Sequence, residues 1–283
     1  METTKIPSVK REKIDPSIES ALPENCTMSI LFQEDGLIFS ILRNDLKKFI
    51  VLGEYEIRPN AQIDSLFNFK EQLQGNFAHS AIGYQTSHFT IVPAPLFKTD
   101  RAIEYANFQF DKREGKVIYD VLSTHGLVVV YAIPQLAYNT IAAYFPDARV
   151  HHAASYTISH YLNLYKNKPG EHLHAQIWRN RIELIAIKNG KLLLYNTFSF
   201  ETKEDLLYFV LNIYEQLGLN PESVPLKISG EIEKGNPVWE LLLAYIRFVE
   251  TEDRLAQYTY SHEFKAFPDH QFNRVYQAAT CVL

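Results

Sequence analysis

One order of apolar runs and turn signals occurs twice in this chain, about 144 residues apart, and that repetition limits the available folds more than any other feature. In the first half, Met28-Ser-Ile-Leu-Phe-Gln33 reads as a strand, Glu34-Asp35-Gly36 as a turn and Leu37-Ile-Phe-Ser-Ile-Leu42 as the returning strand. Arg43-Asn44-Asp45 turns again, and Phe49 to Ile57 makes a third strand. Asn60 then caps a helix with Ile63, Leu66, Phe67 and Leu73 at helical spacing, closing on Glu71-Gln72-Leu73-Gln74-Gly75. In the second half, His172 to Trp178, Ile182 to Ile187 and Lys191 to Phe200 repeat the three strands. A tight turn near Asn180-Arg181 and the hairpin signal Asn189-Gly190 separate them. Thr202-Lys-Glu-Asp205 caps a helix striped by Leu206, Val210, Ile213 and Leu217, which closes on Glu215-Gln216-Leu217-Gly218.

Each half continues with further strand and helix units. Phe89 to Val92 is a strand, a helix starts near Asp100, and Val117 to Val121 and Leu127 to Ile133 form a hairpin pair. Helices over Pro134–Tyr144 and Ala153–Tyr165 follow. The second half adds the strand Val224–Ser229 and the helix Val238–Ile246. A three-stranded meander feeding alternating helices and strands is a mixed-sheet α/β pattern. The 283 residues allow about two domains, and 46% apolar with 22% charged residues is ordinary globular usage.

A net charge of −5 and a pI of about 6.1 argue against a nucleic-acid partner, whose binder would show a basic face. The basic pieces, Lys10-Arg11-Glu12-Lys13 and Lys112-Arg113, are short. Cys26 and Cys281 stand alone near opposite ends, which points to reduced thiols and a cytoplasmic protein. No signal peptide is visible, and no apolar run reaches the 18 residues a membrane span needs, so no membrane insertion is expected.

A duplicated β-β-β-α-β-α unit resembles the actin-like ATPase superfamily, whose halves each have a ribonuclease-H-like fold. The run from Gly126 to Val150, leading into the helix Ala153–Tyr165, looks like the hinge region of its pilus-assembly and secretion members. The chain as a whole resembles an uncharacterised bacterial family assigned this fold, over about residues 27 to 250. The organisation implied is a polar extension over 1–26, a first ribonuclease-H-like half over 27–150, a connecting helix over 151–170 and a second half over 171–283.

The resemblance also implies where ATP and magnesium would sit: between the halves, held by two hairpin turns and a later loop. The first turn would be Glu34-Asp35-Gly36, which keeps an acid and a glycine but is followed by Leu37-Ile38-Phe39 instead of a Ser/Thr run. The second would be Arg179-Asn180-Arg181, where both the acid and the glycine are missing. The adenosine loop would be Ile228-Ser229-Gly230-Glu231, with a carboxylate in place of the second glycine. Asp35, Gly36, Asn180, Arg181, Ser229 and Gly230 are therefore the candidate cofactor-contacting residues. The composition agrees with this erosion. The chain has 11 glycines, where average usage of about 7% would supply roughly 20. No GG or GxG occurs among them.

Other routes to chemistry lack a necessary group. Neither first strand carries the acids a two-metal nuclease needs. There is no Walker loop and no GxSxG. Glu54 and Glu56 share a strand face, read as solvated. His172 and His174 share another, read as a polar strand face rather than half a zinc site. His152, Tyr156 and His160 read as one helix stripe, and Tyr156, Tyr161 and Tyr165 either as packing or as an exposed interface. The expected function is that of a non-hydrolysing binding or scaffold protein working through a protein partner, of which a homodimer is one form. The alternatives are an ATP-binding protein or ATPase that uses Asp35 and Ser229-Gly230, and a regulator that uses the histidine-rich middle.

Overall fold

A computed structural model describes residues 8–18, 24–33, 35–56, 73, 77–110 and 115–281. Apart from Leu73, the helix expected over Asn60–Gly75 lies outside the described residues, as do Glu34 and Lys112-Arg113. The chain divides into two compact units. Unit 1 holds the described residues through 157 together with 257–265 and 274–281; unit 2 holds 158–256 and 266–273.

Unit 1 is built on strands β1 (Ser8–Ile14), β2 (Cys26–Gln33), β3 (Gly36–Arg43), β4 (Lys48–Glu56), β5 (His79–Tyr84) and β9 (Val150–His152). They lie in the order β1-β4-β3-β2-β5-β9, with the meander β2-β3-β4 antiparallel and β5 and β9 parallel to it. Strand β15 (Thr259–Tyr260) joins the outer side of β4 beside β1. Both faces of the meander are buried, so its strands read as near-continuous apolar runs: Ile30, Phe39, Ile41 and Val51 are all enclosed. A separate sheet, β6-β8-β7, comprises β6 (Phe89–Pro93), β7 (Lys116–Leu122) and β8 (Leu127–Ile133). It packs Val92, Val128 and Val130 against Ala106 of helix α1 (Ala102–Gln109). Helices α2 (Gln135–Tyr144) and α3 (Ala153–Tyr165) follow at the expected places, and the division between units falls within α3.

Unit 2 repeats the arrangement. Strands β10 (Glu171–Trp178), β11 (Arg181–Lys188), β12 (Lys191–Ser199), β13 (Leu226–Gly230) and β14 (Val249–Thr251) lie in the order β12-β11-β10-β13-β14. The first three are antiparallel, and β13 and β14 are parallel to β10. The two sheets thus share strand order and polarity over five positions. Asn189 and Gly190 both take positive φ, as the tight β11–β12 turn requires. Helix α4 (Lys203–Leu217) starts on a full capping box between Thr202 and Asp205 and ends at Gly218 in the left-handed region. Helix α5 (Pro237–Leu243) is capped by Asn236, with proline at its first position. Leu206, Val210 and Ile213 of α4 meet Leu173, Ala175 and Ile228 of the sheet in one core.

Two parts of the chain take more structure than the sequence indicates. Ser8–Ile14, within the stretch read as polar extension, is a paired strand, and its Lys10 and Arg11 reach Glu54 at 3.1 and 3.7 Å. Glu54 is therefore buried and paired with the cations of the neighbouring strand β1, not on a solvated face, while Glu56 is exposed. The tail after Thr251 also takes defined structure over its described residues, 252–281. Helix α6 (Asn273–Thr280) contributes Val275 and Tyr276 to the core of unit 1, where Tyr276 meets Phe49 at 4.5 Å and Ser29 Oγ donates to the Val275 carbonyl at 2.9 Å.

Candidate functional site

In open α/β sheets, ligands bind beyond the carboxyl ends of parallel strands, where the strand order switches direction. In unit 2 that point lies beyond β10 and β13, paired in parallel with Gln176 opposite Ser229 and Ile177 opposite Gly230. Four of the sequence candidates, Asn180, Arg181, Ser229 and Gly230, meet there. The turn from β10 to β11 passes through Arg179, held at φ +53°. Its backbone N–H donates to Glu231 Oε2 at 3.0 Å, and the Glu231 N–H donates to the Ile177 carbonyl at 2.8 Å. Gly230 is required for close approach: a Cβ at its φ of +98° would stand 1.9 Å from the Ile177 oxygen.

The same crevice is filled from the tail. Gly230 N–H donates to the His270 carbonyl at 3.2 Å, and His270 Nε2 lies 2.7 Å from the Ile232 carbonyl. Phe272 sets its ring edge to Trp178 with centroids 6.0 Å apart. The amide of the second hairpin turn thus already serves a carboxylate of this chain, and the amide of Gly230 serves a backbone carbonyl. Fixed negative charge at that point opposes a bound phosphate.

In unit 1, Asp35 is exposed in the β2–β3 turn, and Gly36 opens β3 opposite Gln33. A Cβ on Gly36 would stand 2.4 Å from the Tyr55 carbonyl oxygen, so its glycine serves sheet packing. The residues that follow, Leu37, Ile38 and Phe39, are core side chains, so a Ser/Thr run would put hydroxyls into an apolar interior.

The histidines are arranged differently from the sequence reading. His152 ends β9 and precedes α3, so it does not share a helix face with Tyr156 and His160. Its Nδ1 accepts from the Ala154 N–H at 3.1 Å, which makes it the neutral ring whose Nε2–H donates to the Thr86 carbonyl at 3.0 Å. His174 is buried, correcting the expectation of a polar strand face. Its Nδ1 donates to Glu252 Oε1 at 2.5 Å, and its Nε2 lies 2.9 Å from the Tyr165 hydroxyl. Tyr161 also donates to Glu252, and His172 stacks on Tyr165 at 3.8 Å. Both His174 nitrogens are thereby committed to protein partners. Among the described residues, no group of three acids, histidines or cysteines is placed to hold a metal ion. Tyr156, Tyr161 and Tyr165 are all buried, which selects packing over an exposed interface.

One cluster had no sequence signal. Asp120 on β7 is 1% exposed. Its Oδ1 lies 3.0 Å from His151 Nδ1 and 3.1 Å from the Tyr131 hydroxyl. Its Oδ2 accepts from the His152 N–H at 2.8 Å and from Ser155 Oγ at 2.6 Å. The carboxylate sits over the first turn of α3, whose unpaired N–H groups favour an anion. It ties the three-stranded sheet to β9 and α3. His151 also forms part of the wall of a groove of about 930 Å³ in unit 1, lined too by His79, Ser80, Arg149, Tyr258 and Cys281.

A protein of unknown function from Bacteroides thetaiotaomicron with an actin-like ATPase fold superposes with a TM-score of 0.78 at 22% identity, over 92% of this chain and 97% of that one. The PilM–PilN type IV pilus biogenesis complex superposes with a TM-score of 0.61 at 11% identity, over 91% and 98%. These likenesses establish the actin-like ATPase fold, in agreement with the sequence resemblance. No curated protein matches the chain. Residues 15–249 match the family described as "Protein of unknown function (DUF3822)".

Proposed function

The chain belongs to the DUF3822 family, and we propose that it is a binding or scaffold protein on an actin-like fold, one that acts through a protein partner and does not hydrolyse ATP. The supporting observation is the state of the unit-2 crevice. Glu231 holds the turn amide of Arg179, and His270 and Phe272 fill the space beyond β10 and β13. A nucleotide phosphate brought to that turn would have to displace a carboxylate from its hydrogen bond and then bear its charge. Of the superfamily positions, only the Asp35-Gly36 turn keeps its residue types. The similar PilM structure is a complex with PilN, and only the general mode, action through a bound protein, is carried over to this chain. The free thiols Cys26 and Cys281 suit a reducing cytoplasm. Among the described residues, no helix is long and apolar enough to cross a membrane.

Thermal unfolding with and without Mg-ATP tests this reading. A ligand at 100 times its dissociation constant adds about 2.7 kcal/mol of stability. No shift is expected at millimolar Mg-ATP. A clear shift that Asp35→Ala abolishes would overturn the proposal in favour of an ATP-binding protein.

A further inference from the structure

The groove of about 930 Å³ in unit 1 lies apart from the superfamily's nucleotide positions, and all its lining residues belong to that unit. It opens at the amino ends of β2 and β5, where Thr27 and His79 stand opposite each other, and along the loop from α2 to β9. The Asp35-Gly36 turn is at the other end of β2. Small-molecule sites enclose about 300–1,000 Å³, so the groove has the size of one.

Two side chains of its wall are held in place while their outer polar atoms stay open. Arg149 donates through Nη2 to the Tyr119 carbonyl at 2.5 Å and makes no ion pair among the described residues. His151 Nδ1 lies 3.0 Å from Asp120 Oδ1, and because a carboxylate only accepts, Nδ1 carries the proton. Its Nε2 has no hydrogen-bond partner among the described residues and stays accessible. Arg149 and His151 flank Val150, so in extended chain they share a face, and their partners Tyr119 and Asp120 are neighbours on β7. His151 stands opposite Gly83 in the ladder, and Ala81 lies two residues back on the same face, so β5 places small side chains beside them. Tyr144, Phe145 and Tyr258 add half-buried aromatic surface. Asp147 is the one acid among the described lining residues, and it is exposed.

We propose that this groove binds a small aromatic oxyanion, a carboxylate or a phosphate monoester, with its charge between Arg149 and His151 and its ring on the aromatic wall. A guanidinium offers planar paired donors that match such a group. His151 takes a second proton at Nε2 to donate beside it, and Asp120 balances the imidazolium. Groups already fixed by partners behind them lose little freedom when the ligand arrives. The inference goes beyond the protein-partner reading and does not rest on it.

An NMR titration of the full chain at about pH 6.5, without magnesium, tests it with phenyl phosphate and benzoate as probes. Saturable binding of at least one probe at millimolar concentration is expected. Inorganic phosphate and benzyl alcohol should each bind about tenfold more weakly or not at all. Arg149→Gln and His151→Gln should each raise the dissociation constant about tenfold or more, because a hydrogen bond to a charged group is lost. Asp35→Ala and His262→Gln, at residues outside the groove, should leave it unchanged. Arg149 is exposed, so its variant carries the test if His151→Gln fails to fold. The proposal is overturned if neither probe binds saturably, or if binding survives Arg149→Gln. Inorganic phosphate that matches phenyl phosphate, or benzyl alcohol that matches benzoate, overturns the assigned ligand class. Binding that Asp35→Ala abolishes belongs to the hairpin turn and also overturns the groove.

Discussion

Asp120 accepts hydrogen bonds from groups that the fold encloses. Replacing Asp120 with alanine leaves the His152 amide and the Ser155 hydroxyl enclosed without their acceptor. Buried donors stranded in this way cost about 1–3 kcal/mol each, so Asp120→Ala should lower stability by roughly 2–4 kcal/mol in urea unfolding. His160 and Glu252 make the fold acid-sensitive. Burial pulls His160 down to about 4, the nearby Glu252 charge opposing and His174 reinforcing the shift. Burial pushes Glu252 up, but the hydrogen bond and charge of His174, with Tyr161 and Asn273, outweigh it and hold the carboxyl below its usual range. Below about 6.5 the unfolded chain protonates the His160 ring and the folded chain does not. Stability from His160 is therefore complete above that pH and is lost as the pH falls toward 4. Glu252 adds a loss in the same direction once the pH drops below the usual glutamate value. Melting temperature should fall steadily from pH 7 to pH 4.5, and His160→Phe should flatten the upper part of that fall. A flat profile in the wild-type chain would contradict this account.

At the scale of elements, local chemistry was readable wherever it was self-contained. The hairpin at Asn189-Gly190, the cap at Thr202 and the start of α5 at Asn236 each depend on residues within a few positions of one another. Thr202→Ala should cost about 1 kcal/mol, measurable as a shift of the urea midpoint with unchanged slope. Other elements depend on partners far away in sequence. Ser8–Ile14 is a strand because β4 offers it an edge and Glu54 offers its cations a buried partner. Nothing in its own pattern says so. Gly230 reads in sequence as a surviving loop glycine, whereas its place in the structure is set by the Ile177 carbonyl. Gly230→Ala should destabilise by more than about 2 kcal/mol without any change in nucleotide response, since both the positive φ and the overlap with backbone oppose a side chain.

For the molecule as a whole, two sheets of shared order and polarity followed from the chain's own repetition. Apolar runs of strand length, turn residues between them and capped amphipathic helices recur in the same sequence, and such patterns depend on local sterics and burial. The erosion of the phosphate turns was equally visible, because it is a matter of which residues are present. Only tertiary structure decided what occupies their place. The Glu231 carboxylate reaches the Arg179 amide, and His270 and Phe272 come from a tail whose aromatic content indicates that it packs but not where. The Asp120 cluster and the His174–Glu252 pair likewise join residues dozens of positions apart. Hydrogen-bond partners at such separations are chosen by the packing of finished elements. The sequence alone therefore determined the repeated strands and helices and their order, and the folded chain determined the β1 strand, the place of the tail and which polar groups these elements enclose.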